Sequence, residues 1–253
     1  MTSVDDSPPI VEFQDEFARI ERHVEGGNTD LAGLGFWALV RKVKQEPRLA
    51  EHWADVVGRI DRKAFEGRVR PTFPVWFGNG VLLVGTVVLV VAVVLALRLA
   101  EGASEAGDTW AGILAVGAAG GLSGSVHDLA HWLVGRLAGI RFTRYYFDGP
   151  LLIQPGLKID YASYLRADPG GRVAMHAAGA VASKMAPFAV FAGVYVPHVD
   201  RSFELFPEWS LWAILVIGVG QVITDIVWST RKSDWRKVRR ERGVARSMRA
   251  TAA

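Results

Sequence analysis

Six ionisable side chains stand out because the sequence places them inside or at the edge of long apolar segments: His127, Asp128, His131, His176, Lys184 and Asp225. Ionisable groups are costly in hydrocarbon, so such residues are functional candidates by default. His127 and His131 are four residues apart, which places both imidazoles on one face of a helix, one turn apart. Two nitrogens in that position can reach one Zn²⁺ at ~2.0–2.1 Å. The spacing therefore indicates a candidate metal site.

A third metal ligand has to come from another element, and a carboxylate would complete the open type of zinc site that hydrolytic enzymes use. Asp225 meets this requirement by its depth. His127 and His131 precede Arg136 by nine and five residues, or about 13 and 7 Å along a helix. Asp225 precedes Arg231 by six residues, or about 9 Å. The sequence therefore predicts that His127, His131 and Asp225 bind one zinc ion.

Four apolar segments have to position these residues, and they run over about 73–98, 109–136, 172–197 and 208–230. Each is near the ~20 residues that cross a ~30 Å hydrocarbon core. Charged residues make up 22% of the chain but are absent from long stretches of three segments. This sorting is typical of a membrane protein and argues against a freely soluble enzyme, a fibrous repeat or a disordered chain. The absence of cysteine excludes disulfides, cysteine-ligated zinc and thiol nucleophiles.

The distribution of Lys and Arg predicts the orientation. Cations concentrate before the first segment, between the second and third, and after Thr230, where the tail has nine cations and two acids. Positive charge favours the cytoplasm, so both termini are expected inside, in the plasma membrane of a prokaryote. The basic tail is expected to touch anionic lipid of the inner leaflet rather than nucleic acid.

The chain is thus expected to have three parts: a cytoplasmic helical module over 1–71, a four-helix membrane domain over 72–230 and a basic tail over 231–253. The module carries 13 acidic and 11 basic residues and no signal peptide pattern. Apolar residues at spacings of three and four predict three amphipathic helices there. The first helix has its apolar positions at Ile10, Phe13, Phe17, Ile20 and Val24. The second, capped by Thr29 or Asp30, has them at Leu31, Leu34, Trp37 and Val40. The third has them at Leu49, Trp53, Val56 and Ile60.

The histidine pair also belongs to a longer motif. His127-Asp128-Leu129-Ala130-His131, followed by the segment from Trp132 to Ile140, resembles the first motif of the site-2 protease (M50) family of intramembrane metalloproteases. That family carries HExxH near the inner end of one membrane helix. A strand region at the membrane edge follows, then a helix with an AGPxxN-like segment, then a helix with an Asp ligand.

The remaining motifs of that family have weaker counterparts in this chain. The loop over 139–168 is rich in Tyr, Phe, Ile, Gly and Pro, which suits the strand region. The segment from Ala178 to Ser183 is similar to the middle motif, with Ser183 where Asn is expected, and Asp225 stands where the ligand Asp is expected. The resemblance covers about 109–231. It implies an all-α polytopic protein with a short strand-like insertion, and zinc-dependent cleavage of a membrane protein or peptide near the cytoplasmic side.

Asp128 departs from the family, which has a Glu there as general base toward the water that zinc activates. Asp is one C–C bond shorter, about 1.5 Å, and misplacement of that order can cost about 10²-fold in rate. Asp128 is therefore a catalytic base of short reach, or part of an inactive metal-binding relative that acts as a scaffold or regulatory binding protein. A third alternative is a structural residue that only satisfies a neighbouring His or Lys at a site without metal. His176 is a second catalytic candidate, since it could steady a developing oxyanion. It could equally be a fourth ligand, a partner of a ligand, or an interfacial residue.

Two other functional classes compete with this interpretation. Gly121-Leu122-Ser123-Gly124 matches the GxSG motif of rhomboid serine proteases, but Ser123 and His176 are expected at different depths, about 20 and 6 Å from the inner face. A nucleophile and its base must lie within hydrogen-bond reach. A metal or proton carrier could use the same ionisable residues, although four helices without an inverted repeat disfavour a transporter.

Overall fold

The computed structural model describes residues 8–69, 71–102, 105–148, 154–195, 206–227 and 233–252. In these ranges the chain is mostly helical. The helices are α1 (Pro8–Glu25), α2 (Phe36–Val43), α3 (Pro47–Arg68), α4 (Val75–Glu101), α5 (Glu105–Leu137), α6 (Tyr161–Arg166), α7 (Pro169–Tyr195), α8 (Glu208–Val227) and α9 (Asp234–Ala252). The strands are β1 (Thr72–Pro74), β2 (Phe142–Asp148) and β3 (Gln154–Ile159).

The chain divides into two compact units that are each assembled from separate stretches. The first unit comprises Met1–Val75, Gly135–Arg172 and Arg240–Ala253, and the second comprises Trp76–Val134 and Val173–Arg239. This division differs from the linear one expected from the sequence. The strand-bearing loop and the end of the tail belong to the same unit as the N-terminal helices, because long-range contacts decide compactness and the order of segments does not show them.

The first unit is built around an apolar core that α1, α2, α3 and α6 share. The periodicity of α1 is confirmed for Phe13, Phe17, Ile20 and Val24, which are all buried, while the side chain of Ile10 lies outside the described residues. Phe17 packs on Trp53 of α3 with ring centroids 5.1 Å apart. The helix ends at a glycine turn, since Gly27 has a φ of 91°, which only glycine adopts at little cost.

The second helix begins later than the sequence predicted. Residues 31–35 form turns, and α2 starts at Phe36 after Gly35, which has a φ of 79°. The expected cap is therefore wrong: the Asp30 carboxylate accepts a hydrogen bond from the Gly33 backbone N–H at 3.0 Å, inside the turn. Two glycines within five residues weaken a helix at this point.

The three strands form one antiparallel sheet in the order β1-β2-β3. Tyr145 of β2 lies opposite Phe73 of β1 on one side and Leu157 of β3 on the other. The expected strand-like insertion is confirmed by β2 and β3. Helix α5 ends just before it, where Gly139 has a φ of 77° and the Ile140 N–H donates to the Gly135 carbonyl, a common way to terminate a helix.

The second unit contains most of the apolar helices. In the described part of the chain, three helices are long and apolar enough to cross a membrane: α4, the part of α5 from Asp108 to Leu137, and α7. The buried core of this unit combines alanines, among them Ala96, Ala111 and Ala115, with larger residues such as Leu211 and Ile214. Many other large side chains face outward, and α4 has only 6% of its most apolar window buried.

Candidate metal centre

Two histidines and one aspartate converge in the second unit. His127 and His131 occupy successive turns of α5, with ring centroids 4.7 Å apart. Asp234 is the first residue of α9. Its Oδ2 atom lies 3.3 Å from His127 Nε2 and 3.1 Å from His131 Nε2. The possible ligand atoms of the three residues all lie within 4.8 Å of one another, so this cluster could hold a metal ion.

Helix α7 holds the two imidazoles from the other side. The His131 Nδ1 atom lies 2.6 Å from the Met175 carbonyl oxygen. The His127 Nδ1 atom lies 3.4 Å from Ser183 Oγ, which itself donates to the Ala180 carbonyl. Positions 175, 179 and 183 are spaced by four and share one helix face. At position 179 a Cβ atom would overlap the His131 ring, so glycine permits this close approach.

These contacts decide which nitrogen of each imidazole carries a proton. A backbone carbonyl can only accept a hydrogen bond, so His131 Nδ1 carries the hydrogen and Nε2 presents its lone pair. The Ser183 hydroxyl is committed as a donor to Ala180, so it accepts from His127 Nδ1 by the same logic. Partners of this kind orient metal-binding histidines and fix their tautomers.

Two neutral Nε2 lone pairs then face the Asp234 carboxylate. Because three acceptor atoms at this distance repel one another, either a metal cation lies among them or a proton is bound to one of the imidazoles. Ligand atoms of a tetrahedral site with bonds of ~2.0–2.1 Å lie about 3.3 Å apart. The observed separations of 3.1 and 3.3 Å agree with that value. The donor types and these two nitrogen-to-oxygen separations are therefore compatible with a metal ion bound by the three residues.

The charge state of Asp234 suits the same role. Its other carboxylate oxygen, Oδ1, accepts a hydrogen bond from Lys237 Nζ at 2.8 Å. Burial raises the pKa of Asp234. Where protons rather than a metal ion occupy the two Nε2 atoms, hydrogen bonds from His127 and His131, together with the charge of Lys237, outweigh burial and hold the pKa well below its usual value. The carboxylate is thus ionised and available to a cation across the neutral pH range.

Asp225, the ligand expected from depth, lies elsewhere. Its Oδ2 atom pairs with Lys184 Nζ at 2.5 Å, and both side chains line a cavity of about 300 Å³ with Val222 and Trp235. The structure therefore places Asp234, and not Asp225, beside the histidines. Sequence reasoning missed Asp234 because it considered only the cations of the tail, as contacts to anionic lipid. The available signal was that the tail has only two acids among nine cations.

The two residues expected to act in catalysis lie near the cluster but outside it. Asp128 is buried with 7% of its surface exposed, and follows His127 on α5. The His176 ring on α7 is also buried, and its centroid lies 6.4 Å from that of His131. Their catalytic roles stay predictions. Ser123, the nucleophile of the rhomboid alternative, donates its hydroxyl to the Ala119 carbonyl of its own helix at 3.0 Å.

Over the residues that the structure describes, fold and site together define a mostly helical protein with three helices that could cross a membrane and a His-His-Asp cluster that could hold a metal ion. Comparison with known protein families, curated proteins and solved structures finds no match to this chain. The resemblance to site-2 proteases therefore rests on the residues quoted above and stays a prediction.

Proposed function

We propose that this chain is a membrane-embedded, zinc-dependent peptidase, similar to site-2 proteases, that cleaves a peptide bond near the cytoplasmic side of the membrane. The proposal includes α8 as a fourth span, both termini in the cytoplasm and a basic tail against anionic lipid. The observation that carries it is the convergence of His127 Nε2, His131 Nε2 and Asp234 Oδ2 next to long apolar helices. Ionisable groups are rarely placed there without a function.

In this proposal His127, His131 and Asp234 hold the ion, while Met175, Ser183 and Lys237 orient those three. Zinc, when bound, polarises a water molecule and lowers its pKa toward ~7.

Two further residues are assigned to the chemistry. Asp128 accepts the proton of the attacking water and delivers it to the leaving amine. His176 donates a hydrogen bond to the oxygen that becomes negative as the peptide carbon is attacked.

A second candidate function is that of a metal-binding but inactive relative, acting as a membrane scaffold or regulatory binding protein. The observation that favours it is Asp128 itself. Its carboxylate reaches about 1.5 Å less far than that of the Glu in the resembling family, and its burial limits how far the side chain can move to compensate. The two functions share the metal site and differ in turnover, so they can be separated by experiment.

The metal assignment is tested by zinc stoichiometry of the purified full chain. We expect one zinc ion per chain in the wild type and loss of most bound zinc in His131→Ala and in Asp234→Asn, because each removes one of three ligands. Asp225→Asn is the matched control, since it removes a neighbouring carboxylate that pairs with Lys184 and should retain zinc. Retention in Asp234→Asn together with loss in Asp225→Asn would show that the ligand set is wrong.

The base is tested by peptidase activity at unchanged zinc content. We expect Asp128→Asn to keep zinc and abolish activity, because an amide cannot accept the proton. Asp128→Glu should keep zinc and raise activity, since it restores the missing reach. An added methylene in a packed interface can cost 1–3 kcal/mol, so thermal unfolding is measured beside activity. If neither the wild type nor a well-folded Asp128→Glu variant cleaves membrane peptides, the result would favour the inactive scaffold.

A further inference from the structure

A second polar site lies in the first unit and shares no residue with the metal cluster. Residues from α2, α6 and α9 and from the end of α2 line an open cavity of about 70 Å³, and Trp37, Arg41, Lys44, Tyr161 and Arg240 contribute to its wall. Three of these five side chains are cationic and the other two are aromatic. No step of the proposed peptidase chemistry uses any of them.

The charges around this cavity do not balance. One carboxylate, that of Glu241, serves three cations: its Oε1 lies 2.8 Å from Lys44 Nζ and 3.7 Å from Arg240 Nε, and its Oε2 lies 3.1 Å from Arg172 Nε. Glu241, Arg172 and Lys44 are 0%, 1% and 4% exposed. The cluster therefore buries more positive than negative charge, and burial of an uncompensated charge is costly.

Other contacts in the cluster lessen this imbalance only in part. Lys44 Nζ lies 4.4 Å from the centre of the Tyr164 ring and 5.6 Å from that of Tyr161, within the range of cation–π attraction. In the described part of the chain, the buried Nη2 of Arg172 has no hydrogen-bond acceptor. Burial lowers the pKa of Lys44 to about 8, against the attraction of Glu241, so Lys44 is still a cation at neutral pH.

We propose that this cavity binds a phosphate-class oxyanion, supplied either by the headgroup of an anionic lipid or by a free phosphate ion. Its volume of about 70 Å³ is several times the ~10–15 Å³ that a cavity needs to hold one water molecule, so a group larger than water has room there. Arg41, Lys44 and Arg240 provide donors at its wall, and charge-assisted hydrogen bonds from arginine and lysine are the usual means of holding phosphate. The Trp37 and Tyr161 rings, with centroids 5.2 Å apart, supply the aromatic part of its wall.

The experiment uses the full chain in nanodiscs and follows its thermal unfolding. One arm titrates inorganic phosphate into phosphatidylcholine nanodiscs against sodium chloride of equal ionic strength. The other arm replaces part of the phosphatidylcholine by phosphatidylglycerol. A ligand that binds only the folded state raises Tm in a saturable manner. The cavity variant is the double substitution Arg41→Gln with Arg240→Gln. The control variant is Lys42→Gln with Arg242→Gln, which removes two exposed cations from the same helices outside the cavity wall.

We expect the cavity variant to weaken binding at least about tenfold, because two charge-assisted hydrogen bonds are lost, while the control variant keeps the wild-type response. A saturable shift with free phosphate in neutral nanodiscs identifies the free ion as the ligand. A shift that requires phosphatidylglycerol identifies the lipid headgroup. The proposal is overturned if neither ligand shifts Tm beyond the chloride control, or if the control variant loses the response as fully as the cavity variant. This outcome is independent of zinc binding and peptidase activity.

Discussion

The two compact units of this protein differ in where they place large apolar side chains. In the first unit these side chains form the core: Phe17, Phe36 and Ile60 are at most 1% exposed. The second unit buries alanines beside a few large residues, but it also turns many large side chains outward, such as Val84 and Val88 of α4, which are 64% and 60% exposed.

This difference indicates two different surroundings. Water drives large apolar side chains into a core, as in the first unit. Lipid exerts no such force, so helices in a membrane pack through small residues and turn large apolar ones outward. Helix α4 of the second unit follows that pattern, and a soluble protein rarely exposes so large a contiguous apolar surface.

Truncation of large apolar side chains should give the largest contrast between the units. Phe17→Ala removes a ring from a buried core and should cost about 3–5 kcal/mol. Val88→Ala removes outward-facing methyl groups and should cost less than about 0.5 kcal/mol, as for an exposed position. Urea unfolding of the full chain in detergent measures both. Equal losses would mean that protein covers the outer face of α4.

The second prediction concerns the buried charge of Lys44 in the first unit and its effect on stability. The folded-state pKa of about 8 lies below the ordinary value of 10.5, so the unfolded chain binds more protons between these values. Stability should therefore rise with pH from about 8 to about 10, where unfolded tyrosines begin to ionise, at up to about 1.4 kcal/mol per pH unit. Lys44→Met should lack this rise. A wild-type stability that is flat or falling over that range would contradict the prediction.

Glycine substitutions should give the smallest contrast. A Cβ at Gly58 of α3 would lie 2.8 Å from the Ala162 Cβ and 3.0 Å from its backbone nitrogen, so Gly58→Ala should cost about 1–3 kcal/mol in spite of a better helix propensity. A Cβ at Gly85 of α4 would meet nothing within 4 Å. Gly85→Ala should therefore be neutral or stabilise by up to about 1 kcal/mol. Thermal unfolding of each variant beside the wild type measures the change in stability. Gly58→Ala should lower stability, whereas Gly85→Ala should not.

The regular elements could be predicted because their signals are local. Periodic apolar residues predict α1 and α3, and long uncharged stretches predict the apolar helices. Strand β1 was not predicted, since Thr72–Pro74 has three residues and exists only by pairing with β2. The late start of α2 was missed because a local signal was misleading there. Leu31 has helical spacing and is buried, but it belongs to a turn rather than a helix.

The candidate metal site was likewise predictable only in part. The sequence alone determined the histidine pair, because a spacing of four within one apolar helix places both rings on one face. Only the tertiary structure decided the third ligand. Depth along a helix axis measures one coordinate, whereas the direction of a side chain and the position of α9 set the others. Asp225 therefore meets Lys184, and the first residue of α9 brings Asp234 to the two Nε2 atoms.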